Sequence, residues 1–148
     1  MSRYALRRGR SSAPGQLYHI TTCTKDRQPF FDNATCARLV IREMRALHDA
    51  RFVSSWAWVL MPDHLHWLLE LGEAGNLSDV VKRLKGRSAA ALRSHVGYGP
   101  AWQRGFHDHA LRREEDVQMV ARYLVANPVR AGLVRRVGDY PWWDAVWL

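Results

Sequence analysis

Apolar residues recur every second position in some stretches of the chain and every third or fourth in others, and this change of period divides it into elements. Tyr18, Ile20, Thr21, Thr22 and Thr24 make Leu17 to Thr24 a β-favouring run, closed by the turn-like Lys25 to Pro29. Asn33 is placed to cap a helix in which Cys36, Val40, Met44 and Leu47 recur at helical spacing, with Arg38, Arg42 and Arg45 on the opposite side. Phe52 to Met61 reads as a second strand with Trp56 and Trp58 directed to one face, Pro62-Asp63 as a tight turn, and His64 to Leu71 as the returning strand. Gly72, Gly75 and Asn76 close that hairpin.

A helix then carries Leu77, Val80, Val81, Leu84 and Leu92 on one stripe. After Gly97, Gly99 and Pro100, Trp102 to Leu111 is expected as a fourth strand. Glu114, Glu115 and Asp116 favour the start of a last helix, with Val117, Val120, Ala121 and Leu124 as its stripe and Pro128 as its end. The order strand, helix, strand, strand, helix, strand, helix predicts an α+β fold, a ferredoxin-like βαββαβ core with an added C-terminal helix.

The first 16 residues fit no apolar period. Arg3, Arg7, Arg8 and Arg10 lie there among Ser, Pro and Gly, so residues 1–16 are expected as a flexible basic arm and 17–148 as one domain. Hydrophobic residues form 47% of the 148, enough for a full core. Cys23 and Cys36 form no CxxC pair, which points to free thiols in a reducing compartment, the cytoplasm. The longest uncharged apolar run, Phe52 to Pro62, is too short to cross a bilayer, and no membrane partner is expected.

Charge changes this picture. The chain has 22 Lys and Arg against 14 Asp and Glu, a net +8, which points to a polyanionic partner. Nineteen of the 22 are Arg, whose planar fork suits phosphate and whose face stacks on bases. Lys82, Arg83, Lys85 and Arg87 crowd onto one helix and, with Arg7, Arg8 and Arg10 of the arm, are the candidate nucleic-acid contacts.

Candidate chemistry sits in three places. In Met61-Pro62-Asp63-His64-Leu65-His66-Trp67, alternation sends His64 and His66 to one face of a strand, where two neutral imidazoles can hold a divalent metal. Two such histidines also occur on ordinary solvated strands. His107-Asp108-His109 on the fourth strand offers a further ligand or an acceptor that orients an imidazole. Tyr123 and Asn127 are four apart on the last helix. The phenol can attack phosphorus where a metal polarises a phosphate, and the carboxamide oxygen of Asn127 is a suitable third ligand for a hard ion. A tyrosine there can equally serve packing alone.

Together MPDHLHWLLE, WQRGFHDHALR, ARYLVANPVRAGLV and DYPWW resemble the REP-associated tyrosine transposases, a single-tyrosine branch of the HUH (His, hydrophobic, His) superfamily of single-strand endonucleases. The resemblance runs in order from about Tyr18 to Trp143. It implies a divalent metal, Mg or Mn, held by His64 and His66 and completed by Asn127. It implies that Tyr123 becomes linked to a DNA 5′-phosphate, and that the partner is a repeat-derived DNA hairpin with adjacent single strand. The chain itself is expected as a monomer or a homodimer. Two positions depart from the pattern: His107 stands where an aromatic is common, and Trp143-Asp144 replaces small hydroxyl residues. Two other functions fit the same residues, a non-catalytic hairpin-binding protein on the same fold and a metal hydrolase using activated water.

Overall fold

The computed structural model describes residues 12–97, 101–112 and 116–147. Its elements follow as β1 (Leu17–Cys23), α1 (Ala34–Asp49), β2 (Val53–Met61), β3 (His64–Leu71), α2 (Leu77–Val96), β4 (His107–Ala110), α3 (Val117–Val125), α4 (Asn127–Arg130) and β5 (Trp143–Ala145). The strands form one antiparallel sheet in the order β4-β1-β3-β2-β5. Its first four strands have the expected ferredoxin-like arrangement, and β5 adds an edge the sequence pattern did not announce.

Local chemistry explains the ends of the elements. The Asn33 side chain accepts from the Cys36 amide at α1. Asn76 and Asp79 form a reciprocal capping box at α2, which ends at Gly97 with φ 85°. Asp116 accepts from the amides of Gln118 and Met119 at α3. Gly72 has no alternative residue, because a Cβ there would collide with the Arg51 carbonyl oxygen. In the β2–β3 hairpin Met61 pairs with His64 across the two-residue turn. The turn carbonyls of Asp63 and Pro62 accept from the amides of Thr24, 2.9 Å, and Phe31, 3.0 Å.

α1 and α2 cover one face of the sheet. The core there joins Ile20, Leu60, Leu65, Trp67 and Leu69 to Val40, Met44, Leu77, Val81 and Leu84. α3 packs on the other face, where Ala121, Leu124 and Val125 meet Ala57, Val59, Met61 and Leu68. Among the described residues no helix is long and apolar enough to cross a membrane.

Four expectations need correction. Trp56 and Trp58 do not share a face. A bulge between Ser55 and Ala57 inserts one residue, so Trp58 packs with the α1–α2 side and Trp56 with the α3 side, edge-on to Trp147 at 5.7 Å. The fourth strand is His107–Ala110 instead of Trp102 to Leu111, because Trp102 is drawn into the core. Its indole lies 5.5 Å from Phe31 and donates to Ser88 Oγ at 2.9 Å. Pro128 does not end the last helix but opens α4, where its missing N–H costs nothing. The arm's last residues, Ser12 to Gln16, are tied down: Ser12 Oγ accepts from the Leu77 amide, and the Gly15 amide donates to the Leu71 carbonyl. Arg3, Arg7, Arg8, Arg10, Glu114 and Glu115 lie outside the described residues.

Candidate active site

Strand alternation builds the site on the face shared with α3. Cys23 stands opposite His64, Thr21 opposite both His66 and His107, and His19 opposite His109, so these side chains share one side of the sheet. The His64 and His66 rings are 5.0 Å apart at 83°, and the His19 ring is 5.2 Å from His66. Nδ1 of His66 lies within hydrogen-bond distance of His19 Nε2, 3.0 Å, and Thr21 Oγ1, 3.1 Å.

His64 is held from its other side. Its Nδ1 donates to Asp63 Oδ1 at 2.7 Å, and Arg27 Nε donates to Asp63 Oδ2 at 2.9 Å. Arg27 reaches Asp63 from a 3-10 turn in which Asp26 and Arg27, neither a glycine, have φ of 56° and 54°. Such backbone costs about 1–3 kcal/mol per residue and recurs at functional sites.

The electrostatics keep the central imidazole uncharged. Burial pushes His66 down to about 3, aided by the neighbouring His19 and His64 and by the positive charge of Arg130. Burial also lowers His19, with His109 adding to it. At Asp63 burial works upward, but the hydrogen bonds from His64 and Arg27 overcome it and hold the carboxyl below its ordinary value. His66 is therefore a neutral nitrogen donor at any ordinary pH, as a metal ligand must be.

Tyr123 extends from α3, 67% exposed, on the helix that packs over β2. The expectation that Asn127 continues the same helix is corrected, because α3 ends at Val125 and Asn127 begins α4. Pro128 cannot donate to the Leu124 carbonyl four residues back, and Asn127 Nδ2 donates to it instead at 2.8 Å. That fixes the amide nitrogen and reserves the carboxamide oxygen for another partner. Arg130 then folds over the tyrosine, its Cζ 3.7 Å from the ring centroid and its Nη2 donating to the Tyr123 carbonyl at 2.6 Å.

The other expected residues are distributed unevenly. His107 and His109 lie on the histidine face at the exposed edge, whereas Asp108 stands opposite Ile20 and so belongs to the other face. This removes Asp108 from direct reach of His64 and His66. The cations of α2 lie on the far layer. Arg83 stacks on Phe52 at 4.8 Å, Lys85 donates to the carbonyls of Gln103 and Gly105, and Arg87 Nε meets Glu43 Oε1 at 2.9 Å. Lys82 is exposed. Sequence reasoning missed His19, Thr21, Arg27 and Arg130. His19 and Thr21 could have been found by extending the period-two reading into β1, and Arg130 by its position seven residues, two helical turns, beyond Tyr123. The turn-like run Lys25 to Pro29 announces the turn around Arg27, but not that the turn delivers its guanidinium to Asp63.

Among the described residues no three His, Cys, Asp or Glu converge as a metal cluster. The expected donor set is two imidazoles and a carboxamide, and its chemistry suits a divalent ion: both rings are fixed through Nδ1, leaving Nε2 as the donor nitrogen, and Asn127 retains its oxygen.

A profile of the family described as IS200-like transposases matches residues 13–127, and the chain belongs to that family. The chain is 33% identical over 87 residues to the REP-associated tyrosine transposase of Escherichia coli K12. That alignment covers 57% of this chain and 50% of the relative, so the chain spans about half the relative's length. Among solved structures it is similar to a REP-associated tyrosine transposase bound to a REP hairpin, with a TM-score of 0.77 and 24% identity over 90% of this chain and 79% of that one. It is also similar to a bacterial tRNA(His) guanylyltransferase-like protein, with a TM-score of 0.52 and 9% identity over 90% of this chain and 76% of the other. At these identities both structural likenesses concern the fold.

Proposed function

We propose that this protein is a tyrosine-dependent single-strand DNA endonuclease and strand transferase. Its substrate would be a repeat-derived DNA hairpin with adjacent single strand. The observation that carries the reading is the exposed Tyr123 on α3, the helix packed on the same sheet face that presents His64 and His66. Membership of the IS200-like family and the hairpin held by the similar solved structure support the substrate class.

In the proposed reaction Tyr123 Oη attacks phosphorus, the bond from phosphorus to the 3′-oxygen breaks, and the DNA 5′-phosphate becomes joined to the phenol oxygen. The phenolic proton is lost to solvent and the departing strand leaves as a 3′-hydroxyl. Attack by another 3′-hydroxyl reverses the step and joins strands. The phosphotyrosine keeps the energy of the original diester, so joining needs no nucleotide cofactor. A divalent ion, Mg²⁺ or Mn²⁺, held by His64, His66 and Asn127, would offset charge on the phosphate oxygens. His19 and Thr21 engage Nδ1 of His66, and Asp63, held by Arg27, accepts from Nδ1 of His64, which fixes the orientation of both rings. Lys82 of α2 and Arg7, Arg8 and Arg10 of the arm would meet phosphates outside the reacting centre.

Incubating the protein with an end-labelled hairpin carrying a single-stranded flank, with Mg²⁺ or Mn²⁺, and running a denaturing gel tests this reading. A protein-linked band is expected, and Tyr123→Phe should abolish it while hairpin affinity stays within about twofold. Hairpin binding with no covalent band from the unaltered chain would make the protein a binding module. Cleavage retained in Tyr123→Phe would move the chemistry to activated water.

A further inference from the structure

We propose that Arg130 is the residue that binds the phosphate attacked by Tyr123. The inference rests on the reading of Tyr123 as nucleophile and adds a residue that the motif-based assignment of two histidines, a tyrosine and an asparagine leaves out.

Three observations converge on its guanidinium. First, its Cζ lies 3.7 Å from the Tyr123 ring centroid, so its plane rides on the face of the nucleophile's ring. Second, one Nη is spent on the Tyr123 carbonyl, which ties the arginine to the backbone that carries the phenol. Third, no carboxylate among the described residues pairs with it. Arg136 pairs with Asp139, Arg87 with Glu43 and Arg27 with Asp63, whereas Arg130 keeps its remaining N–H donors without an acidic partner.

An arginine in that state is an incomplete anion site. The guanidinium has five N–H donors in a fixed fork, and one hydrogen bond with one stacking contact leaves most of them free. The ligand that completes it must be anionic and must lie against the tyrosine. A phosphodiester positioned for attack by the phenol oxygen, about 3–3.5 Å from it, meets both conditions. Fixing the arginine to the tyrosine's own carbonyl makes the two move as one unit, so the phosphate is presented to the nucleophile by the helix that carries it.

The test is a binding cycle in which the affinities are read without turnover. The cut made by the unaltered chain identifies the scissile linkage. A hairpin is then made with a neutral methylphosphonate at that linkage. Its affinity is compared with that of the ordinary hairpin by fluorescence anisotropy in EDTA. The proteins are Tyr123→Phe, which keeps the ring under Arg130, and Tyr123→Phe with Arg130→Gln. On the ordinary hairpin Arg130→Gln should weaken binding about tenfold or more, the size of a lost charged hydrogen-bonding contact. The neutral linkage should weaken Tyr123→Phe by a similar factor and the double variant by less than twofold. Arg130→Lys, which keeps the charge and loses the fork, should retain part of the sensitivity to the neutral linkage, and it serves as the second variant if circular dichroism shows Arg130→Gln misfolded. Equal losses in all proteins on neutralising the linkage would overturn the assignment of Arg130 while leaving the nucleophile intact. Absence of any cut by the unaltered chain would overturn both.

Discussion

The two faces of the sheet are made by the same strands and do opposite work. On the α1–α2 face every inward position of β3 is an apolar residue with no solvent exposure or nearly none, Leu65, Trp67, Leu69 and Leu71. On the α3 face the same strand presents His64 and His66 before returning to an apolar residue at Leu68, because α3 covers β2 and leaves the β1 and β4 side to imidazoles and hydroxyls. One strand thus alternates, residue by residue, between holding the domain together and equipping the site. Substitutions at neighbouring positions should therefore separate into stability lesions and chemical lesions.

The largest expected effect is on the closed face. Trp67 is fully buried and its indole donates to Ser55 Oγ at 2.9 Å, so Trp67→Ala should lose ~3–5 kcal/mol of unfolding free energy in a urea titration. Its neighbour His66→Ala should remove the covalent band and weaken Mn²⁺ binding by at least tenfold while costing ~1 kcal/mol or less in the same titration, since its ring lies at the half-open face. A loss from His66→Ala as large as that from Trp67→Ala would erase the distinction between the faces.

Acid supplies a more delicate comparison. His66 is held near 3 against 6.5 in an unfolded chain, and His19 is lowered too, so the unfolded state takes up protons that the native state refuses. The stability these groups allow is complete above about pH 6.5 and falls as pH drops toward the folded value. In EDTA, the slope of unfolding free energy between pH 6 and 4 should flatten in His66→Gln. An unaltered slope in His66→Gln would mean that the ring is solvated.

The smallest effect concerns the far layer. Neutralising Lys82, Arg83 and Arg87 together should lower the slope of log affinity against log salt by roughly 0.7–0.9, one phosphate contact. Arg83 and Arg87 are already engaged by Phe52 and Glu43, which leaves Lys82 to make it. A loss near three contacts would place DNA against both layers.

Much of this architecture is legible in the residues, because the signals are local. Asn33, Asn76 and Asp116 cap the helices they precede, and the alternation of His64, Leu65, His66 and Trp67 survives intact in β3. What escapes is set by distant contacts. Trp102 and Phe106 look like strand residues, yet they are buried in the α1–α2 core and leave only four residues to pair in β4. The bulge that turns Trp56 away from Trp58, and the three residues of β5 that pair with β2, have no pattern of their own. In the site, the motif reveals the two histidines but not what fixes them. Thr21 and His19 reach His66 from 45 and 47 residues away, and Arg27 reaches Asp63 from 36.

The two-residue turn at Pro62-Asp63 sets the phase of everything after it. A single residue inserted or deleted there, with the pairing otherwise preserved, would exchange the contents of the two faces. Leu65 and Trp67 would emerge among the imidazoles, and His64 and His66 would be driven beneath α1 and α2, where neither could be solvated or liganded. The turn's carbonyls are both gripped by the Thr24 to Phe31 segment, which leaves little slack for a longer loop to absorb the change. Length variation in this chain is therefore confined to its other connections, and a change of length at this turn is at once a folding defect and the removal of the site.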